Sequence, residues 1–227
     1  MDRSRAFALA AFTAAALNAT ALLGSAALLA PGLPPHPPAE AWTYVREHLV
    51  AWRIGWGLWM AAAASLALFY RAWGRAVAPE ARLARHVALA LVAVGLAVDW
   101  ASEIYLLSVP PVPPAEGEVF FDDLAFERAA HERYAFLGMG VAANGLYTAA
   151  GTVFFLLAFS DRSPFPRGLA LASVPVWISG FLLCGATLLD HHPGVEGLTV
   201  LTIGGFTAFA AACGWRYWRR PPRLDTL

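Results

Sequence analysis

Residues 86–109 read HVALALVAVGLAVDWASEIYLLSV, and this stretch decides how the whole chain is understood. It holds one histidine, two acids and no arginine in 24 residues. A helix needs roughly 20 mostly apolar residues to cross ~30 Å of hydrocarbon, and this segment has them. Five further stretches meet the same requirement, at about 6–30, 51–73, 134–160, 168–189 and 197–217. The expected fold is all-α: a polytopic integral membrane protein with a single transmembrane domain over 1–227, built as a six-helix bundle.

The composition agrees with that reading. Of 227 residues, 59 % are hydrophobic and only 14 % charged, whereas soluble domains carry about 25 % charged residues. Sixteen basic residues balance sixteen acidic ones. With no basic excess to neutralise phosphates, the composition argues against nucleic-acid binding. Two cysteines, Cys184 and Cys213, are too few for a disulfide scaffold or a cysteine-rich zinc module. Their depths along the helices differ by roughly 15 Å, beyond disulfide reach, so both read as small core residues.

Every basic residue is an arginine, and the arginines are distributed unevenly. A cytoplasmic N-terminus places twelve of them inside: Arg3, Arg5, Arg71, Arg75, Arg82, Arg85, Arg162, Arg167, Arg216, Arg219, Arg220 and Arg223. Four remain outside, Arg46, Arg53, Arg128 and Arg133. The positive-inside rule then gives an inner-membrane protein with both termini cytoplasmic. A basic start followed by an apolar run also suits a signal peptide. The first apolar run, about 24 residues long, exceeds the usual h-region of roughly 7 to 15, which favours an uncleaved span.

Two proline clusters, Pro31 to Pro38 and Pro110 to Pro114, end helices on the outer side, because proline lacks an amide proton and fixes φ. Each is followed by a segment that reads as a short amphipathic helix, 40–49 and 120–133, suited to capping the bundle at the interface. The cytoplasmic connections are short. That between 160 and 167 makes the fourth and fifth helices antiparallel neighbours. Trp42, Trp52, Trp56 and Trp59 at one boundary and Trp73, Trp215 and Trp218 at the other resemble interfacial belts. Trp56 and Trp59 sit deeper and also suit a ligand site with aromatic walls.

Chemistry concentrates on the third helix. Asp99 and Glu103 are four residues apart, so they share one helix face. A carboxylate in hydrocarbon costs at least ~2.5 kcal/mol, so both are expected to face the bundle interior. Two carboxyls in one dry space titrate as a pair, which suits proton relay, cation binding or acid–base catalysis. A purely structural alternative pairs Glu103 with Arg53 near the outer end of the second helix. Asn18, Asn144 and Tyr147 lie at similar depth and supply amides and a hydroxyl. Asn18, Arg53, Trp56, Trp59, Asn144 and Tyr147 are therefore the candidate ligand-binding residues around the candidate catalytic pair, Asp99 and Glu103.

Histidines form a second, weaker pattern. Glu127 and His131 are four apart, and Asp190 precedes His191 and His192, all toward the outer side. Imidazole and carboxylate ligate divalent metals, so these five are a candidate outer-face metal set. Their spacing matches no established metal motif. The absence of lysine excludes a retinal Schiff base and a lysine nucleophile. No nucleophile elbow, phosphate loop or facing histidine pair for haem is present.

The expected partners are the lipid bilayer and a small-molecule, ion or lipid ligand, with other subunits of a membrane complex as a further class. The leading expectation is an outward-facing acidic site that binds or transports a small cationic, metal or lipid-like ligand. Two alternatives stand beside it: a membrane-embedded enzyme using the carboxyl pair as acid and base on a lipid-like substrate, and an accessory subunit of a membrane complex.

Overall fold

The computed structural model describes residues 3–34, 36–77, 80–108, 132–160 and 163–219. The described residues are helical with no strand, and six helices are long and apolar enough to cross a membrane. Helix α1 covers Arg3–Gly24 and continues through a π turn at Ser25–Leu29 and a 3₁₀ turn at Ala30–Gly32. Short α2 is Pro38–Glu47, followed by α3 at Leu49–Val77 and α4 at Arg82–Ser108. Then come α5 (Glu132–Ala158, π-helical over Gly138–Ala143), α6 (Arg167–Leu188, interrupted at Ser173) and α7 (His192–Arg219).

The six long helices close into a ring. Each packs on the next in the chain, α7 packs on α1, and α3 also reaches across to α5. One end of the bundle, here the terminal end, carries the start of α1 and the finish of α7. The opposite, or far, end carries α2, which lies across α1 and α3. Tyr44 on α2 donates its hydroxyl proton to the Leu28 carbonyl of the π turn (2.9 Å), and Val45 is buried. Gly32 is required beneath α2, since a Cβ there would meet the Trp52 ring at 2.7 Å.

Local chemistry explains the breaks. Pro38 opens α2 in its first turn, where its missing amide proton leaves no bond unmade. Between α6 and α7, Asp190 takes φ 52°, a left-handed conformation that aspartate tolerates better than most residues. His191 then caps α7 by accepting the Gly194 amide proton at Nδ1 (3.0 Å).

The terminal half of the interior is an aromatic plug. Phe69, Tyr70 and Trp73 of α3 meet Phe154 of α5, Trp177 of α6 and Phe206 and Phe209 of α7. Trp73 stacks on Trp177 at 5.9 Å, and its ring centroid lies 5.4 Å from those of Phe154 and Phe209. Pairs of this kind contribute about 0.5–1.5 kcal/mol each beyond burial. Glycines admit the rings: Gly74 makes room for Phe154, Gly151 for Trp177 and Gly214 for Phe12. Ala8, Ala11, Ala14 and Ala21 give α1 a face of small buried residues, which allows its neighbours to approach closely.

The tryptophans require a correction. Trp73 is fully buried in the plug, and Trp52 and Trp56 are buried between helices; Trp215 and Trp218 are exposed. Only the last two fit a boundary belt among these five. The first amphipathic segment forms as α2, two residues earlier than expected. The second, 120–133, lies outside the described residues except for its last two positions, which open α5.

Candidate ligand site in the far half of the bundle

Helix α4 presents Asp99, Glu103 and Leu106 along one face, at successive spacings of four and three. Two hydrogen bonds fix its register against α3. Trp52 Nε1 donates to the Leu106 carbonyl (3.0 Å), and Trp100 Nε1 donates to the Met60 carbonyl (3.1 Å). Trp56 stands midway between Trp52 and Met60, and Glu103 lies between Trp100 and Leu106. The antiparallel pairing therefore brings Trp56 and Glu103 to the same depth, one turn below the Trp52–Leu106 bond.

From α5, Tyr147 donates its hydroxyl proton to Asp99 Oδ2 at 3.1 Å. Gly95 makes this reach possible, because a Cβ there would stand 2.9 Å from the Tyr147 ring. The Tyr147 carbonyl in turn accepts the Tyr70 hydroxyl at 2.8 Å, tying α3 to α5 at the upper edge of the plug. A polar column thus runs from Glu103 through Asp99 to Tyr147 and meets the aromatic plug at Tyr70.

Glu103 is 2 % exposed and Trp56 4 %. Glu103 Oε2 and Trp56 Nε1 are both buried without a hydrogen-bond partner. Asp99 and Glu103 are close enough for the charge of one to act on the other. Trp56 itself belongs to an apolar cluster with Leu29 from the π turn of α1, Trp52 from α3 and Leu106 from α4, against which Phe136 and Met139 from α5 pack. Trp56 is 5.6 Å from Trp52 and 6.4 Å from Phe136, centroid to centroid.

The remaining expected ligand residues divide. Trp59 packs, partly buried, on this same cluster. Asn18 bonds the Ala14 carbonyl (2.9 Å) and the Ser65 hydroxyl (3.5 Å), linking α1 to α3. Asn144 donates to the Gly180 carbonyl (2.8 Å) and to Cys184 Sγ (3.2 Å), linking α5 to α6. Both amides are thereby engaged between helices and form no hydrogen bond to either carboxyl. Arg53 is exposed, and no ion pair joins it to Glu103 among the described residues. The structural alternative of a buried Arg53–Glu103 pair is not what forms.

Of the metal set, Glu127 and His131 lie outside the described residues. Asp190 pairs with Arg133 at the start of α5, His191 caps α7, and His192 is exposed. Among the described residues no three His, Cys, Asp or Glu side chains are grouped to hold a metal ion. Both cysteines are free, Cys213 buried and Cys184 partly so.

Sequence reasoning missed Trp52, Tyr70 and Leu29 as parts of this region. Trp52 had a signal: with Trp56 and Trp59 it forms a stripe at spacings of four and three, one helical face. Tyr70 and Leu29 had none, since the partners that place them are distant in the chain. Compared with protein-family models, curated proteins and solved structures, the chain matches none.

Proposed function

We propose that this chain is a multi-pass inner-membrane protein, both termini cytoplasmic, that binds a small ligand between α3, α4 and α5 from the outer side. The observation that carries the reading is Glu103, buried with Oε2 unpartnered. A carboxyl in that position lacks the hydrogen bonds that normally repay its lost hydration, so a bound group that supplies them explains its place. The unevenly distributed arginines support the orientation, which puts the terminal end in the cytoplasm and α2 outside.

The aromatic plug supports access from one side only. Alternating access would require the Trp73, Trp177, Phe154 and Phe209 rings to part and reseal in each cycle, whereas binding from outside requires movement only near α2. The reading is thus of a ligand-binding protein, not a carrier. Two acidic groups with one tyrosine hydroxyl favour a ligand that is cationic or carries a hydroxyl.

A thiol reporter tests this without knowledge of the ligand. In a Cys184→Ala, Cys213→Ala background, Met139→Cys places a thiol on the cluster around Trp56. Small methanethiosulfonates should modify it from outside only. The cationic reagent should react ~10-fold faster than the anionic one, equivalent to ~1.4 kcal/mol of attraction. That preference should vanish in Asp99→Asn, Glu103→Gln. Reaction from the cytoplasmic side at a similar rate, or no charge preference, refutes the proposal.

A further inference from the structure

Glu103 Oε2 and Trp56 Nε1 are unpartnered groups of different kinds, buried at one depth on facing helices. Indole N–H only donates; a carboxyl accepts and, when protonated, also donates. One turn outward on the same faces, Trp52 and Leu106 do bond across the α3–α4 seam. The deeper pair shows no such bond. Filling both needs at once restricts the chemistry of the occupant. An ammonium group offers only donors and leaves Trp56 Nε1 unsatisfied, and a metal ion offers it no acceptor. A hydroxyl has one proton and two lone pairs. It accepts from Trp56 and donates to an ionised Glu103, or accepts from both when Glu103 is protonated.

The surroundings describe the rest of the molecule. Trp56 sits in an apolar cluster with Leu29 and Leu106, against which Phe136 and Met139 pack. Leu29 and Met139 belong to the π segments of α1 and α5. Such segments are rare and recur at functional sites, where the extra residue reshapes the helix wall. Both contribute to the one cluster around Trp56.

Building on the ligand site proposed above, we infer that its occupant is an amphiphilic alcohol. One hydroxyl lies between Trp56 and Glu103, and an apolar chain runs along Leu29, Phe136 and Met139.

The test uses the Met139→Cys reporter in proteoliposomes loaded with 1-dodecanol, dodecylammonium or dodecane at equal mole fraction. Dodecanol should slow labelling by about tenfold, a free-energy difference of ~1.4 kcal/mol, dodecylammonium should slow it less because it leaves Trp56 Nε1 without an acceptor, and dodecane should not slow it. Trp56→Phe, which keeps an aromatic ring and removes the donor, should abolish the advantage of dodecanol over dodecylammonium, each read as the ratio of labelling rates with and without the amphiphile in that variant. Equal or better protection by dodecylammonium overturns the inference in favour of a cation. Absence of protection by any chain, with labelling still one-sided and charge-selective, also overturns it and leaves the ligand site standing with water or another occupant. Labelling from both sides removes the site reading itself, so the two failures are distinguishable.

Discussion

The substitution Glu103→Leu should raise the stability of the ligand-free protein. Glu103 forms no ion pair with Arg53, and its Oε2 has no hydrogen bond to lose. Leucine is of similar bulk, so the cavity term that accompanies truncation to alanine is largely avoided. What is removed is a buried, unsatisfied acceptor, whose desolvation costs about 1–3 kcal/mol. Its electrostatic interaction with Asp99 disappears as well. The expected gain is therefore about 1–3 kcal/mol, roughly a 5- to 150-fold shift in the folding equilibrium. Reversible unfolding in mixed detergent micelles, followed by circular dichroism across a denaturing-detergent titration, measures it. The companion variant Arg53→Leu, at an exposed position, should stay within about 0.5 kcal/mol of the wild type. A loss of about 3–5 kcal/mol on Glu103→Leu, the usual result of breaking a buried ion pair, would refute the reasoning and make Glu103 a structural group. Gain of stability together with loss of dodecanol protection is the combination expected of a residue kept for binding.

Two further outcomes are expected. Gly151→Ala should destabilise by about 1–3 kcal/mol in the same unfolding assay, because its Cβ would overlap the Trp177 ring. That ring cannot yield, being stacked on Trp73 and bonded through Nε1 to Ser173 Oγ at 2.8 Å. Gly57→Ala, which meets open space, is the control and should be neutral or slightly stabilising. For topology, thiols introduced by Arg167→Cys and Glu196→Cys, both at exposed positions, should react with an impermeant reagent from the cytoplasm and from outside respectively. The opposite pattern overturns the orientation.

Much of the architecture was legible along the chain. Apolar length marks all six helices that are long and apolar enough to cross a membrane, because the cost of hydrocarbon burial is local to each segment. The spacing of Asp99 and Glu103 places them on one face of α4 by helix geometry alone. The short connection after residue 160 makes α5 and α6 neighbours, as found. Which face of each helix turns inward was not legible. In lipid, both the interior and the exterior of a bundle are apolar, so hydrophobic periodicity, the signal that orients helices in water, is nearly absent. Trp73 was therefore read as a boundary residue, although α5, α6 and α7 enclose it in the plug. Asn18 and Asn144 looked available to a ligand, yet Ser65 on α3 and Gly180 on α6 engage them. Asp190 looked like a metal ligand, and Arg133, 57 positions earlier in the sequence, pairs with it. The chain by itself determined which segments form long apolar helices and where the carboxyls lie along them. Only the closed ring of helices brought Ser65 to Asn18, Gly180 to Asn144 and Arg133 to Asp190, because each of these partners comes from a different helix.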